Sequence, residues 1–317
     1  MERKTRLALL PLGLYSEAFE EIFKSLGDIE IVKGVLSEKT IQRGVKDSPV
    51  MMCYPYKVIL GYMMDALDKG ANKIVTLTES GSKCRIGHFW KMQERTLRDR
   101  GYDGFEFVAL DRKNLLKELR SLNPKAGWLT VIKAFYNGWK RMREIEKTTE
   151  EFNYQSINKD DINILVIGEY YTIFMKDMNL GVVDKIKKFG AKPKYGSSLS
   201  QILTEPLNFL KKDKYQAEAS TYLNGSIGGY GLETIAGVIY GCERGYDGIV
   251  RIMPMSCMPE ITVEPAITSI CRKKGMPLLT VECDEHNSEL NLETRLETFV
   301  EMIRRKKRGR DSVKRNR

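Results

Sequence analysis

Short β-rich runs alternate along this chain with longer segments of helical periodicity, an order that predicts βα units and parallel sheets. In the first half, Arg6–Leu10, Ile29–Lys33, Lys73–Thr78 and Gly104–Ala109 read as strands. Helices are expected over Ser16–Ser25, Tyr54–Asp68 and Phe89–Asp99. Pro55 suits a first helical turn, where no N–H partner is needed. In the second half the apolar run Ile164–Ile167 predicts a buried strand, and Gly248–Ile252 and Pro277–Val281 two more. Further helices are expected after Asn179, over Leu232–Cys242, from about Glu260, and over Glu293–Arg305. Between the halves, Lys113–Glu150 is charged and mostly helical in pattern, with Trp128, Phe135 and Trp139 on an apolar face.

At 317 residues and 42% apolar composition, the chain is long enough to bury two cores of ordinary size. The expected fold is α/β, with two Rossmann-like lobes built on parallel sheets and a ligand crevice between them. The first lobe takes residues 1–112, a helical insert or connector 113–160, the second lobe 161–303, and a basic, disordered tail 304–317. The tail holds nine Lys/Arg and one Asp, a net +8 of the total +10, so the remaining body is almost neutral. Such a block repels itself, and without aromatic residues it lacks the stacking groups of single-strand binders. Nucleic acid is therefore not an expected partner. Met1–Lys4 leads straight into the short run Leu7–Leu10, without a signal-peptide pattern. No stretch approaches the ~20 apolar residues of a membrane span. A soluble, cytoplasmic protein is expected.

Six cysteines in such a chain do not read as a disulfide framework, and none lies in a CxxC pair. Three fall in one kind of place. Cys84 lies just past the Lys73–Thr78 strand, Cys257 just past Gly248–Ile252, and Cys53 in the loop before a helix. Open α/β sheets collect ligands outside the carboxyl ends of their strands, and helix N-termini there favour anions such as thiolates. Cys53-Tyr54-Pro55 and Cys257-Met258-Pro259 repeat a Cys-x-Pro pattern at a loop-to-helix junction. Spacing alone leaves two readings open: a ligand, or a small buried hydrophobe. Cys84 sits in the Gly/Ser-rich run Ser80–Gly87, where Lys83 and Arg85 supply positive charge that would offset a thiolate.

The run GYDGIVRIMPMSCMPE around Cys257, followed by PLLTVECDEHNSELNLETRLETFVEM, resembles the carboxyl-terminal signature of the 2-hydroxyacyl-CoA dehydratase D-component superfamily. CYPYKVILGYMMDAL, SGSKCRIGHFWKMQ and VIGEYYTIF resemble segments of its acyl-CoA dehydratase activase-related branch; double-cubane cluster proteins are also relatives. The resemblance spans most of residues 5–303. It implies a [4Fe-4S] cluster held by Cys53, Cys84 and Cys257, with one iron left for substrate or a bridging sulfide. A bridged double-cubane form is the alternative. It also implies a low-potential electron supplied by a separate ATP-dependent activase, and a small-molecule substrate of acyl-CoA type. The chain has no GxxxxGK[ST] loop of its own. The expected function is a difficult reduction or dehydration, in a homodimer or with a related subunit. A non-catalytic partner of such an activase system is the second reading, and a nucleic-acid-associated protein the third.

The other chemistry-bearing residues are weaker candidates. Cys242 and Cys271 fall on expected helices and read as packing residues, whereas Cys283 ends a strand and could approach the crevice. Asn224–Gly231 departs from GxGxxG and reads as a flexible helix entry that lets backbone pass close to the cluster, with a phosphate or CoA contact as the alternative. Glu169 follows a strand, either as a crevice carboxylate or as a capping or solvated one. Arg295 with Glu297 reads as an ion pair, and His88 and His286 as hydrogen-bonding residues.

Overall fold

Strands β1 (Thr5–Leu9), β2 (Ile29–Val32), β3 (Lys73–Thr78) and β4 (Glu106–Asp111) form one parallel sheet in the order β2-β1-β3-β4. This computed structural model describes residues 4–78, 84–111, 113–200, 214–225, 227–286 and 288–315, with side chains to residue 309. The chain divides into two compact units, Met1–Ile145 and Glu146–Arg317. In the first, α1 (Ser16–Ser25), α2 (Glu38–Asp47), α3 (Tyr54–Asp68) and α4 (Phe89–Asp99) fill the crossovers, and α5 (Leu115–Leu122) follows β4.

The second unit repeats the plan. Its strands are β5 (Asn163–Gly168), β6 (Lys192–Tyr195), β7 (Gly248–Pro254) and β8 (Leu278–Cys283), all parallel, in the order β6-β5-β7-β8. By position within the unit, both sheets run second-first-third-fourth. The helices here are α7 (Tyr170–Phe174), α8 (Lys176–Asn179), α9 (Val182–Lys188), α10 (Lys214–Ser220), α11 (Gly231–Arg244), α12 (Met258–Lys274) and α13 (Glu289–Arg315). β5 and β7 are buried along their whole length, as expected for central strands of a parallel sheet covered on both faces. α6 (Trp128–Thr148) crosses the division between the units.

The stretch expected as a connector, 113–160, is shared between the units rather than standing apart. Asn123 donates to the Leu26 carbonyl at 2.8 Å and Arg141 to Glu17 at 2.6 Å, both at the ends of α1. A Cβ at Gly138 would press on the Ala18 carbonyl and Ile22, so this glycine sets the approach of α6 to α1. Phe152 instead stacks against Tyr195 and Phe174 of the second unit, with ring centroids 5.0 and 5.7 Å away.

The segment expected as a disordered tail also differs. α13 runs on to Arg315, and its basic residues reach other helix ends. Arg304 donates to the Phe189 carbonyl at the end of α9, at 2.6 Å, and Lys306 to the Gly275 carbonyl at the end of α12, at 2.9 Å. Lys307 pairs with Asp247 at 3.0 Å. Helix C-termini leave unpaired carbonyls and partial negative charge, so lysine and arginine are suited to close them. Lys307→Ala is expected to cost about 1 kcal/mol, read as a fall of a few degrees in the thermal midpoint. An unchanged midpoint would mean the pairing contributes nothing. Among the described residues, no helix is long and apolar enough to cross a membrane.

Candidate functional site

The sequence CYPYKVIL starts α3 at Cys53, whose extended backbone (φ −68°, ψ 156°) makes it the N-cap ahead of Pro55. Nearly all of α3 is buried, including Tyr56, Val58, Leu60 and Met63, so the cysteine is carried on a rigid element. Cys84 is likewise an extended N-cap, opening the short helical turn Arg85–His88 that continues into α4. Both thiols are half-buried. Arg85 joins their two loops, because its Nη1 donates to the Met51 carbonyl at 2.9 Å and lies 4.0 Å from the Met52 sulfur. Thr78, at the end of β3, donates to the Gly87 carbonyl at 2.6 Å and ties the Cys84 turn back to the sheet. Lys83 lies outside the described residues.

In the second unit Cys257 takes the same role at the start of α12, followed by Pro259, and is almost fully buried. Its backbone N–H donates to the Pro254 carbonyl at 3.1 Å. The preceding Ser256 has φ +61°, a left-handed conformation unusual for a residue other than glycine and often found where function constrains the chain. Cys84 and Cys257 therefore occupy corresponding places: each follows the third strand of its sheet and caps a helix. The trio is divided between the units, with Cys53 and Cys84 in the first and Cys257 in the second. Among the described residues, no group of three or more His, Cys, Asp or Glu side chains is gathered as a metal site.

The glycine-rich run 224–231 enters the second unit where the first has the loop of Cys53, ahead of the helix that leads to the third strand. Gly228 and Gly229 have positive φ, and a Cβ on Gly231 would press on the Pro259 carbonyl at 2.9 Å. Backbone thus passes close to the helix that Cys257 caps. Tyr230 meets Tyr170 edge to face at 4.3 Å. Ser226 lies outside the described residues.

Beneath this loop lies a buried polar network that sequence reading missed. Arg251, central in β7 and fully buried, donates from Nε to Glu260 at 3.0 Å and from Nη2 to the Glu260 carbonyl. Its Nη1 lies 3.5 Å from a Glu264 oxygen. Thr234 on α11 donates to the other Glu260 oxygen at 2.7 Å. Burial pushes the Glu260 carboxyl upward, while the Arg251 charge and the Thr234 hydrogen bond oppose it. An arginine inside the apolar strand GIVRIMP was the available signal, since arginine is rarely buried without a partner.

Glu169 is the buried N-cap of α7, accepting from the Tyr171 and Thr172 amides at 2.9 Å each and from the Thr172 hydroxyl at 2.7 Å. Burial raises its carboxyl against these three bonds. Of the two roles open to it in the sequence, it takes the capping one. Cys283 is buried at the end of β8, and burial with Asp284 and Glu169 nearby pushes its thiol up to about 12. A protonated thiol is a poor metal ligand. Arg295, expected in an ion pair, donates to the Thr280 carbonyl of β8 at 2.7 Å. His88 and His286 are exposed.

Two parallel α/β units, each with a cysteine-capped helix beyond its third strand, define this chain structurally. No protein-family model matches it, and no curated protein matches it either. The resemblance to the dehydratase superfamily rests on the motifs alone.

Proposed function

We propose that the chain is an iron–sulfur redox protein in which the Cys53, Cys84 and Cys257 thiolates hold a [4Fe-4S]-type cluster. The observation that carries this reading is the correspondence of Cys84 and Cys257, each an N-cap past the third strand of its own sheet. Two further features support it. Helix N-termini offer unpaired N–H groups and positive potential to an anionic cluster, and Arg85 adds a full charge between the loops of Cys53 and Cys84. Three thiolates are also a donor set suited to iron–sulfur clusters. Exposed apolar side chains flank the cysteines in both units, Val50 and Met51 in the first and Met255, Met258 and Ile261 in the second. Apolar surface of this kind marks interaction sites, and docking of an ATP-dependent activase would cover it. Such a cluster would supply low-potential electrons for reduction or dehydration of an acyl-CoA-like substrate.

Anaerobic reconstitution with ferrous iron and sulfide is expected to load about four irons and four sulfides per chain, with cluster absorbance and an EPR signal after reduction. Cys53→Ala, Cys84→Ala and Cys257→Ala should each lose most of the iron, while Cys283→Ala keeps it. Iron binding that survives all three substitutions together would overturn the assignment. Cluster formation and activase binding without turnover would instead make the chain an accessory protein of the activase system.

A further inference from the structure

The strongest chemistry outside the proposed site is a second thiol pair. α11 and α12 run side by side in the same direction. They are linked near their starts by the Thr234–Glu260 hydrogen bond at 2.7 Å and by the close approach of Gly231 to Pro259 and Val263. Near their other ends, Cys242 and Cys271 occupy the last turns before the helices stop at Gly245 and Gly275. By helical periodicity Cys242 continues the row Gly231–Thr234–Val238 and Cys271 the row Glu260–Val263–Ile267, the two rows that meet at those contacts. Cys271 belongs to the apolar core with Ile239, Ile267 and Ile270, whereas Cys242 lies at its margin and is half-buried.

We propose that Cys242 and Cys271 form a redox-active dithiol that low-molecular-weight disulfides close to an internal disulfide. Burial alone makes a cysteine inert, but here the two differ in a way that assigns their roles. Cys271 beside it lowers the Cys242 thiol, and Lys274 adds to the effect against burial. Cys242, with burial, pushes Cys271 upward. Cys242, half-buried, is the accessible nucleophile, and the buried Cys271 the shielded partner that resolves it.

With oxidised glutathione as oxidant, the Cys242 thiolate attacks one sulfur and expels glutathione thiolate, leaving a mixed disulfide. Cys271 then loses its proton and attacks the Cys242 sulfur, expelling the second glutathione thiolate. The pair gives up two electrons and two protons, and one oxidised glutathione becomes two reduced ones. To close, the sulfurs must approach to the ~2.05 Å of a disulfide, a movement the last turns of two helices can absorb. The proposal is independent of the iron–sulfur reading, because neither thiol is among the proposed ligands.

The full reduced chain, equilibrated anaerobically with oxidised glutathione, acid-quenched, alkylated and mapped without reduction, tests the pair. Cleavage after Glu260 or Glu264 separates Cys257 from Cys271, so a peptide linking Cys242 to Cys271 is unambiguous. The expected result is loss of both thiols to alkylation, one linked peptide, and full recovery on adding a dithiol reductant. Cys271→Ser should arrest at Cys242 carrying glutathione, and Cys242→Ser should leave Cys271 alkylatable. The proposal is overturned if both wild-type thiols stay alkylatable, or if Cys242 stays glutathionylated or pairs elsewhere. Should Cys271→Ser fail to fold, the wild-type map alone decides.

Discussion

Arg251→Met is expected to be among the most destabilising single substitutions in the second unit, costing about 3–5 kcal/mol. The guanidinium is fully buried and its Nε lies 3.0 Å from Glu260, itself buried. Removing it leaves a carboxylate inside the protein with only the Thr234 hydroxyl and a distant share of other groups to stabilise its charge. The sign with pH follows from the direction in which burial moves this carboxyl, above its ordinary value of 4.5. Without the arginine, the folded state holds the Glu260 proton to higher pH than the unfolded chain does. Stability from that source is fully present below the unfolded pKa and is lost as pH rises through the folded one. Urea unfolding should therefore show a smaller deficit against wild type at pH 5 than at pH 7.5, and Arg251→Met with Glu260→Met should recover most of it. A deficit equal at both pH values would mean the loss is one of packing rather than of charge pairing.

Gly44→Ala and Gly61→Ala should each destabilise the first unit by about 2–3 kcal/mol, by overpacking a helix crossing. α2 and α3 touch at these two residues: a Cβ on Gly44 would collide with the Lys57 carbonyl, and one on Gly61 with the Thr40 carbonyl. Neither obstacle is the end of a flexible side chain, so the helices must separate. Helix propensity alone predicts the opposite sign, because alanine in a helix interior is worth up to ~1 kcal/mol over glycine. The urea midpoint therefore decides between the two effects. Because Lys57 lies in the first turn after Cys53, separation of the helices should also speed alkylation of that thiol. Stabilisation by either alanine would mean that the crossing is looser than its geometry.

The strong hydrophobic runs made most of the fold legible. Ile164–Ile167 and Gly248–Ile252 read as buried strands and are central strands β5 and β7. α2 was missed because SEKTIQRGVKD is mostly polar and has a glycine at its centre; its start is fixed by Ser37 and Thr40 exchanging side-chain and backbone hydrogen bonds. β6 was missed because Lys-Pro-Lys-Tyr argues against a strand. It lies at the sheet edge, where a proline is tolerated. The helix N-caps at Cys53 and Cys257 were readable from Cys-x-Pro. Arg85 bonding to Met51 was not, since it joins loops 34 residues apart and no local pattern encodes it. Cys242 and Cys271 read as packing residues for a similar reason: helical spacing places each on a face but says nothing about which neighbour that face meets.

The Lys307 clasp bears on the order in which the second unit closes during synthesis. Lys307 reaches back to the Asp161 carbonyl, 146 positions earlier, and to Asp247. β5 likewise waits for β7 before its second edge is paired. Contacts of such sequence separation form late, because the intervening loop must first be ordered. The first unit has its whole sheet by residue 111 and can close on the ribosome as translation continues. The second keeps one edge of its central strand β5 open until β7, some eighty residues later, has emerged. A nascent chain stalled within the second half would carry a finished first unit and an open parallel edge, the form of this protein most exposed to chaperones and to aggregation.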